Sequence, residues 1–581
     1  MKAPSLFNIV KMIWQILSGP ERGRWLLIVG LAAMMSALEV MTAVLIVGVV
    51  QSLNDPQQAS HIFHKLGVFP GLSVQEYMKI LLLGFSGLFL FKSAFAAFEV
   101  FCQSLAIQSI SRNLKNRMLS SYSNAGYGFY QTRTSSHLLN VISGDVDMFS
   151  ASGLVALATI MSECCVLIFL FITVTIINPQ ATLTIAALCM VVGFLLFRFL
   201  LPRFYRWGKV GQQTSQESHQ ILIEFFQGFK EVLLYGQRAQ FRSKFDQVVL
   251  RKAVVAARHQ TATSIPRISI EIIFVGLFVF TVLFLISKNT PMHEIAGLMG
   301  AYLYAGFRMM PGLNRVIVQS GNLKLVSPNI ERIRDEIMLL PESASTPDIP
   351  SFTFNEDIAL EHVSFSYAER GRPAVQDISL KIRKGEIIGI TGETGSGKST
   401  LMDLILGLHP PTAGSILIDG KYPAACQQWH QIIGYVPQSV YLFDGTLREN
   451  ILFGVEDGDR VDRAFLEEII KDAQLEKMIS RLPQGLNTPV GERGIRLSGG
   501  ERQRIAIARA LCRRPEVLIF DEATSALDNE TEMRLMETIR HIVQGRTVIM
   551  IAHRLTTLQN CDRIYVLDSG LLARVSSFDD L

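Results

Sequence analysis

Two short glycine-rich strings hold the residues best suited to chemistry in this chain of 581 residues. The first, GETGSGKS, runs from Gly392 to Ser399, and the second, LSGGERQR, runs from Leu497 to Arg504. In the first string, the glycines let backbone N–H groups turn onto phosphate oxygens. Lys398 is then placed to meet the β- and γ-phosphates, and the Ser399 hydroxyl to bind Mg²⁺. The string predicts a nucleotide site.

An acidic pair follows an apolar run further along the chain. Val517–Phe520 is predicted to be a strand, and it ends in Asp521 and Glu522. We expect Asp521 to hold a metal ion and Glu522 to polarise an attacking water. The simpler alternative is that the pair caps a helix, but the P-loop at the expected separation favours chemistry.

The elements around the first string are those that a phosphate loop needs. Residues 386–391 (EIIGIT) predict a buried strand, and a helix is predicted to begin at Lys398, so the glycine loop joins strand to helix. The amino end of that helix adds a favourable dipole for an anion.

The carboxyl-terminal half resembles the nucleotide-binding domain of ABC transporters. Tyr367 in VSFSY is similar to the aromatic residue that stacks on adenine, and Gln438 in YVPQS to the Q-loop residue that senses Mg²⁺. VGERG at 490–494 resembles the X-loop, SALD at 525–528 the D-loop, and His553 in IAHRL the switch histidine.

The resemblance implies specific roles for these positions. The implied catalytic residues are Lys398, Glu522 and His553, and the implied Mg²⁺ ligands are Ser399, Gln438 and Asp521. ATP and Mg²⁺ are the implied cofactors. The positions implied to contact ATP are Tyr367, Gly392, Glu393, Thr394, Gly395, Ser396, Gly397, Lys398, Ser399, Thr400, Gln438, Ser498, Gly499, Gly500 and Asp521. The second string, LSGGERQR at 497–504, resembles the signature sequence of this family. In this family the signature loop contacts ATP bound by the other protomer, so a homodimer with two hydrolysing sites is implied.

Composition separates the two halves of the chain. The sequence is 49% hydrophobic and 18% charged, and the apolar runs are concentrated in residues 25–326. A net charge of +4 without a basic cluster argues against a nucleic-acid binder, and the seven cysteines show no metal-binding spacing. We expect no cleavable signal peptide.

Six apolar stretches are long enough to cross a bilayer. The predicted fold class is therefore an α-helical six-span transmembrane domain followed by an α/β P-loop ABC ATPase domain. The predicted spans are 25–48, 78–101, 154–177, 181–201, 266–287 and 295–318. The predicted domains are an amphipathic elbow helix at 1–24, a membrane domain at 25–330, a linker at 331–355 and the ATPase domain at 356–581.

Positive charge gives the orientation in the membrane. The loops 102–153 and 202–265 are rich in Lys and Arg, whereas the opposite side carries only Lys65, Lys288 and, at a span edge, Lys79. Positive loops face the cytoplasm, so both termini and the ATPase domain are expected there. At 6–17, Leu6, Ile9, Val10, Ile13, Trp14 and Leu17 predict one apolar face of an interfacial helix, the alternative being a disordered leader.

The membrane half resembles that of an ABC exporter. The resemblance implies alternating access driven by ATP, with a short coupling helix in each long loop. The candidate coupling segments lie near Leu138–Asp147 and near Glu224–Gln237, and the alternative is that both are merely exposed helical faces.

Four cations within or at the ends of the spans are the candidate substrate-cavity residues: Lys92, Arg267, Arg308 and Arg315. Intramembrane charge is costly and usually functional, and arginine grips a diphosphate well. The alternative is internal pairing with Glu39, Glu99, Glu163 or Glu271, of which Arg267–Glu271 has helical i,i+4 spacing.

Two local runs resemble the bacterial flippases of lipid-linked oligosaccharides in N-glycosylation. These are IPRISIEIIF at 265–274 and FRMMPGLNR at 307–315; Lys92 stands where those flippases have arginine. The resemblance also implies an external helix at 57–69.

Three hypotheses follow for what the chain does. The first is a flippase of a polyprenyl-diphosphate-linked oligosaccharide, and the second an exporter of a lipid A-like lipid, a peptide or a drug. The third, a soluble ABC ATPase of translation or DNA repair, is disfavoured by the six spans.

Overall fold

A computed structural model describes most of the chain. The described residues are 4–54, 74–177, 194, 198–199, 201–287, 292–339, 350–367, 372–455, 461–491, 494–522, 539, 545–552 and 555–578. The chain divides into two compact units. The first comprises residues 1–125 and 132–343, and the second comprises 126–131 and 344–581.

The first unit is entirely helical within the described residues. After helix α1 (Leu6–Ile16) come the long helices α2 (Gly19–Asn54) and α3 (Val74–Ser123). The helix α4 (Tyr127–Gln131) follows in sequence but belongs to the second unit. The remaining helices are α5 (Ser135–Leu139), α6 (Val146–Met148), α7 (Val155–Ile177), α8 (Leu201–Gln227), α9 (Phe229–Leu234), α10 (Arg238–Ser287) and α11 (Met292–Leu339). Two π-helical turns, Asn140–Asp145 and Phe149–Leu154, join α5, α6 and α7 into one path.

Several of these helices are suited to a bilayer. Among the described residues, three are long and apolar enough to cross one, within Lys79–Ser123, Ser135–Phe169 and Arg238–Phe280. Many large apolar side chains of α3 are exposed, Leu83 and Leu90 among them, as expected of a surface that faces lipid. Most of the predicted fourth span, 181–201, lies outside the described residues. The predicted external helix, 57–69, lies wholly outside them.

Helix α1 forms where the apolar periodicity predicts it, and Ser5 caps it by accepting a hydrogen bond from the Asn8 N–H at 3.1 Å. The predicted single lipid face is wrong in part, because Ile9, Ile13 and Leu17 are buried within the protein. Only Val10 and Trp14 of that face are exposed, together with Phe7. The helix is apolar on two sides, of which one packs onto the protein and the other is exposed.

The predicted linker at 331–355 begins too early. Helix α11 runs to Leu339, and within the supposed linker Ile333 and Glu336 are buried. The Pro- and Ser-rich composition that indicates a linker is confined to residues 340–355, whereas Val326, Ile330 and Ile333 continue the helical spacing of the core face.

The first candidate coupling segment, Leu138–Asp147, is also placed wrongly. Within it Val141 and Asp145 are buried inside the first unit. The short helix α4, earlier in the same loop, is the part that groups with the ATPase domain. The second candidate segment contains α9 and exposes Phe226, Leu234 and Tyr235.

Within its described residues, the second unit contains two sheets. An antiparallel sheet has the order β2-β1-β4-β5, and a mainly parallel sheet has the order β10-β9-β3-β8-β7-β6. The strands are β1 (Asp357–Phe365), β2 (Val375–Arg383), β3 (Ile387–Gly392), β4 (Ala413–Ile418), β5 (Tyr422–Pro423), β6 (Ile433–Val436), β7 (Val517–Asp521), β8 (Thr547–Ile551), β9 (Arg563–Asp568) and β10 (Leu571–Ser576).

The described residues of this unit also form helices besides α4. They are α12 (Lys398–Ile405), α13 (Gln427–Ile432), α14 (Leu447–Ile451), α15 (Arg463–Asp472), α16 (Glu476–Ile479) and α17 (Gly499–Leu511). The central strands are near-continuous apolar runs because both faces are buried. Since β3 and β7 are parallel members of this sheet, their carboxyl ends bring the P-loop and Asp521 to the same edge.

Candidate functional site

The glycine loop between β3 and α12 depends on backbone conformations and close approaches that a side chain would prevent. Gly392, Gly395 and Gly397 have φ values of 149°, 86° and 101°. A Cβ at Gly392 would lie 2.2 Å from the Leu567 carbonyl oxygen, whereas one at Gly395 would meet nothing within 4 Å. The loop is therefore packed against the sheet at Gly392 and open at Gly395, where a phosphate can approach the backbone.

Lys398 begins α12 beneath this loop and is buried. Its Nζ donates hydrogen bonds to the carbonyl oxygens of Gly392 and Glu393, each at 2.8 Å. Burial lowers the pKa of Lys398, while the Glu522 carboxylate raises it in part. The ammonium is thus held at the amino end of a helix, next to the surface that phosphate would occupy.

The other loop residues divide between exposed and buried positions. Glu393, Thr394 and Ser399 are exposed, and Thr400 is buried. The buried Ser396 Oγ has no hydrogen-bond partner among the described residues. A buried hydroxyl of this kind fits a phosphate oxygen as acceptor.

Asp521 ends β7 as a metal-site carboxylate would. Tyr435, on the neighbouring strand β6, donates a hydrogen bond to Asp521 Oδ2 at 3.3 Å. Asp521 Oδ1 is buried, and no described residue bonds to it. Burial raises the pKa of Asp521, the adjacent Glu522 charge raises it further, and the Tyr435 hydroxyl opposes both. A cation at Oδ1 would satisfy this oxygen and stabilise its charge, so the residues present fit Mg²⁺.

Glu522 lies directly beyond the strand in a strained conformation. Its φ of 46° is in the left-handed region, and its N–H donates to the Ile551 carbonyl at 3.1 Å. Its Oε2 accepts a hydrogen bond from Nε2 of Gln438, which brings the two predicted residues together. Strain of this kind typically occurs at functional sites.

Tyr367 is half-buried next to the P-loop helix α12. Its hydroxyl lies 3.2 Å from Thr400 Oγ1, and its ring meets Phe365 edge-on at 5.0 Å. The buried His409 ring lies 6.0 Å from Tyr367 and 5.5 Å from Tyr127 on α4. Sequence reasoning missed His409 and Tyr127, because no local spacing connects them.

The signature string opens α17. Ser498 is its N-cap, and Ser498 and Glu501 form a capping box in which the Ser498 N–H donates to Glu501 Oε2 at 2.7 Å. Ser498 is exposed, and Gly499 and Gly500 are half-buried. An exposed amino end on a 13-residue helix is suited to bind an anion.

Sequence reasoning also missed Tyr435 and Gln503. The buried Gln503 on α17 donates from Nε2 to the Gln438 carbonyl oxygen at 3.3 Å, joining the signature helix to the Q-loop. Tyr435 stands three residues before Gln438 in YVPQS, so an aromatic hydroxyl on the strand next to Asp521 was the available signal.

Some predicted residues fall outside the described part of the chain. His553, the D-loop residues 525–528 and X-loop residues 492–493 are among them. The backbone of Arg308 lies in α11, but its side chain is not described.

The three candidate cavity cations with described side chains each pair with a carboxylate. Arg267 and Glu271 lie 2.8 Å apart on α10, and Arg315 on α11 lies 2.6 Å from Glu163 on α7. Lys92 on α3 lies 3.3 Å from Glu39 on α2. The Arg267 side chain is nevertheless 72% exposed and that of Arg315 is 47% exposed. The pairs match the internal-pairing alternative but leave two guanidinium groups accessible.

Comparison with known proteins identifies a family for each half of the chain. A family model described as the ABC transporter transmembrane region matches residues 25–291, and one described as ABC transporter matches residues 375–525. The fold is similar to a structure titled as a bacterial Atm1-family ABC exporter with ATP bound. The TM-score is 0.78, with 24% identity and 96% of each chain covered.

Curated relatives carry one recurrent name. An ATP-dependent lipid A-core flippase of Ralstonia nicotianae is 30% identical over 82% of this chain and 81% of its own. One of Pseudomonas syringae pv. syringae is 30% identical over 78% of this chain and 75% of its own. These names favour the second hypothesis over the oligosaccharide flippase. The ABC transporter family therefore includes this chain, as an exporter-type half-transporter in which an ATPase domain is coupled to a transmembrane domain of the bacterial inner membrane.

Proposed function

We propose that this protein flips an anionic glycolipid of the lipid A-core type across the inner membrane. The observation that carries the proposal is the name shared by relatives that match about four fifths of the chain at about 30% identity. The accessible guanidinium groups in the membrane unit support it, since charged side chains in spans face a water-filled cavity or the bundle interior rather than lipid.

The working unit of the proposal is a homodimer. A single chain has one P-loop and one signature helix, and the family resemblance joins the P-loop of one protomer to Ser498 of the other. The exposed apolar side chains of α9 support an interface with a second copy, because an apolar patch on a cytoplasmic loop is costly to leave in water. We expect both composite sites to hydrolyse ATP, with Glu522 as base and His553 near the γ-phosphate.

Within each site we assign Mg²⁺ to Asp521, Ser399 and Gln438. The unsatisfied Asp521 oxygen is the supporting observation. When bound, the ion would neutralise charge on the phosphates. Lys398 and the loop amides hold the phosphates, Tyr367 takes the adenine, and Glu522 orients the water.

Arg267 and Arg315, with Lys92 and Arg308, are proposed to contact the phosphate groups of the lipid. The three of these cations whose side chains are described each pair with a carboxylate, so a phosphate must replace that partner or share the cation with it. Arginine is suited to this exchange because its planar fork binds a phosphate with two hydrogen bonds.

A polyprenyl-diphosphate-linked oligosaccharide is the second candidate. It is favoured by the local resemblance around Arg267 and Arg315, and it shares with lipid A-core both a phosphate and a saccharide. A peptide or a drug need not carry the phosphate that the cations would bind.

The test is ATPase stimulation of the reconstituted protein by three ligands. These are lipid A-core, a polyprenyl-diphosphate oligosaccharide and a panel of apolar drugs. The proposal expects the strongest stimulation from lipid A-core, lost in Glu522→Gln and weakened in Arg315→Ala. Stimulation by drugs alone would reject it, and stimulation by the polyprenyl lipid alone would move the assignment to the second candidate.

A further inference from the structure

A cavity of about 580 Å³ lies within the first unit, on the cytoplasmic side of the predicted spans. Its walls come from the π-helical turn after α5 and from α8, α10 and α11. On α8 they include Trp207 to Ser215, which follow the predicted end of span four at residue 201 by 6 to 14 residues. At 1.5 Å per residue, this places the α8 wall about 9–21 Å beyond the span.

The α10 wall agrees with that depth. Lys252 to Thr263 precede the predicted start of span five at residue 266. The cavity therefore lies where the headgroup of a lipid drawn from the inner leaflet would extend.

Close helix packing fixes the back of the cavity. A Cβ at Gly208 would lie 1.9 Å from the Leu325 carbonyl oxygen, so α8 and α11 meet backbone to backbone at this point. One turn later, a Cβ at Gly211 would meet nothing within 4 Å. The helices thus touch at Gly208 and leave room at Gly211, which lines the cavity.

The lining surface is mostly apolar but includes five side-chain amides. They come from all four walls: Asn140, Gln212, Gln260, Asn322 and Asn329. Each amide both donates and accepts hydrogen bonds. His259 Nε2 is buried without a hydrogen-bond partner among the described residues, which leaves hydrogen-bonding capacity for a ligand.

The charges of the lining do not suit a simple anion. Lys252 contributes a positive charge, but the buried Asp145 also lines the cavity, paired with Arg332 at 3.3 Å and accepting a hydrogen bond from Asn329 at 2.6 Å. A purely apolar ligand would strip water from the amides without replacing their hydrogen bonds. A ligand with many hydroxyl groups satisfies both constraints, since each hydroxyl donates and accepts.

We propose that this amide-lined cavity binds the saccharide part of the transported glycolipid's headgroup. Trp207 supplies a flat apolar surface for the C–H face of a sugar ring, and the amides bond its hydroxyls. The volume is in the range of sites for drug-sized ligands, with room for roughly two or three sugar rings. The inference rests on the proposed function for the identity of the lipid, but the saccharide site can be tested separately.

The test fills the cavity without disturbing packing. Gly211→Leu adds volume where the structure has space, and Gln213→Leu on the exposed side of α8 is the matched control. ATPase stimulation is measured with lipid A that carries the core saccharide and with lipid A that lacks it. Gly211→Leu should weaken the apparent affinity for the saccharide-bearing lipid at least about tenfold and leave the saccharide-free lipid unchanged.

Equal loss for both lipids, or no loss for either, would overturn the cavity assignment. Gln260→Leu repeats the test by removing one amide without filling the space. If neither lipid stimulates the wild type, the proposed function fails, and tryptophan fluorescence with soluble core oligosaccharide then decides the site. A signal in the wild type that is absent in Gly211→Leu supports the site, and no signal in the wild type rejects it.

Discussion

At the scale of single residues, Asp521 has the surroundings that we expect of the proposed Mg²⁺ ligand. One carboxylate oxygen receives the Tyr435 hydroxyl, and the other is buried with no described partner. The neighbouring Glu522 charge and burial both disfavour ionised Asp521, so a bound cation has a large effect there. We therefore expect the Tyr435 hydroxyl to orient the carboxylate that is proposed to bind Mg²⁺.

Replacing Tyr435 by Phe should lower the apparent affinity for Mg²⁺ more than it lowers the maximal ATPase rate. Losing a group that orients a metal ligand typically costs about 10-fold or more in metal affinity. ATPase rate is measured against Mg²⁺ at fixed ATP, with the exposed Tyr441→Phe as the control. An unchanged Mg²⁺ midpoint in Tyr435→Phe would show that the hydroxyl does not orient Asp521.

Asp403 on α12 provides a prediction about pH. Burial, followed by the Asp521 charge, raises the pKa of Asp403 to about 6 from an ordinary 3.8. Between these values the folded state binds more protons than the unfolded state, so Asp403 makes stability fall as pH rises from about 4 to 6. Since Asp403 is only partly buried, we expect a discounted effect of about 1 kcal/mol.

Asp403→Asn should therefore raise the melting temperature of Mg²⁺-free protein at pH 8 but not at pH 4. Thermal unfolding of the full chain in detergent measures this, with the exposed Asp444→Asn as the control. A variant that is less stable than the wild type at pH 8 would contradict the sign.

At the scale of elements, the cytoplasmic end of α11 holds the membrane unit together. The buried Glu336 accepts a hydrogen bond from Tyr122 on α3 at 3.4 Å and lies 2.9 Å from His137 Nε2 on α5 and 3.5 Å from Arg133. Five residues earlier on α11, Glu331 accepts a hydrogen bond from the Tyr205 hydroxyl on α8 at 3.3 Å. Helix α11 is therefore bound to both long cytoplasmic hairpins just before the chain leaves for the ATPase domain.

Removing Glu336 should cost more stability than removing an exposed ion-pair partner. Breaking a fully buried pair typically costs about 3–5 kcal/mol because the remaining charge stays buried. The Arg133 and His137 side chains are each 22% exposed, so we expect a cost below that range but above that of an exposed pair. The matched control is Glu217→Ala, which loses an exposed pair with Arg251 and should cost less than about 1 kcal/mol. Thermal unfolding compares Glu336→Ala with this control. Similar melting temperatures would show that the Glu336 contacts do not stabilise the cytoplasmic end of α11.

Two glycines one turn apart on α8 test the packing of that helix. Gly208→Ala places a methyl group against the Leu325 carbonyl and should destabilise by about 1–3 kcal/mol. Gly211→Ala meets open space and should be neutral or slightly stabilising, because alanine favours helix. Thermal unfolding of the two variants is the comparison. If both were tolerated equally, α8 and α11 would not meet at Gly208.

The sequence predicts those elements whose chemistry is local. The P-loop, the strand before Asp521 and the helix beginning at Lys398 all lie in short runs with specific spacing. The Glu336 cluster is different, because its partners His137 and Tyr122 lie 199 and 214 residues away in sequence. The coupling segment was misplaced for a related reason: helical periodicity identifies a helix in the 102–153 loop but not the structural unit to which it belongs.

At the scale of the whole molecule, the proposed homodimer makes a prediction about shared sites. If ATP lies between one protomer's P-loop and the other's Ser498, mixing two inactive variants should restore activity. Lys398→Ala inactivates the P-loop, and Ser498→Arg inactivates the signature. A mixed dimer then retains one complete site, and its ATPase rate should exceed that of either variant alone. If the mixture stays as inactive as its components, the composite site is not formed between protomers.

The measurement that most directly tests the central claim is translocation of labelled lipid A-core in proteoliposomes. We predict movement between leaflets that requires ATP, stops in Glu522→Gln and falls in Arg315→Ala. In the same vesicles, Glu522→Gln should still bind ATP. Translocation at the wild-type rate in Glu522→Gln, or none in the wild type while ATP is hydrolysed, would contradict the account.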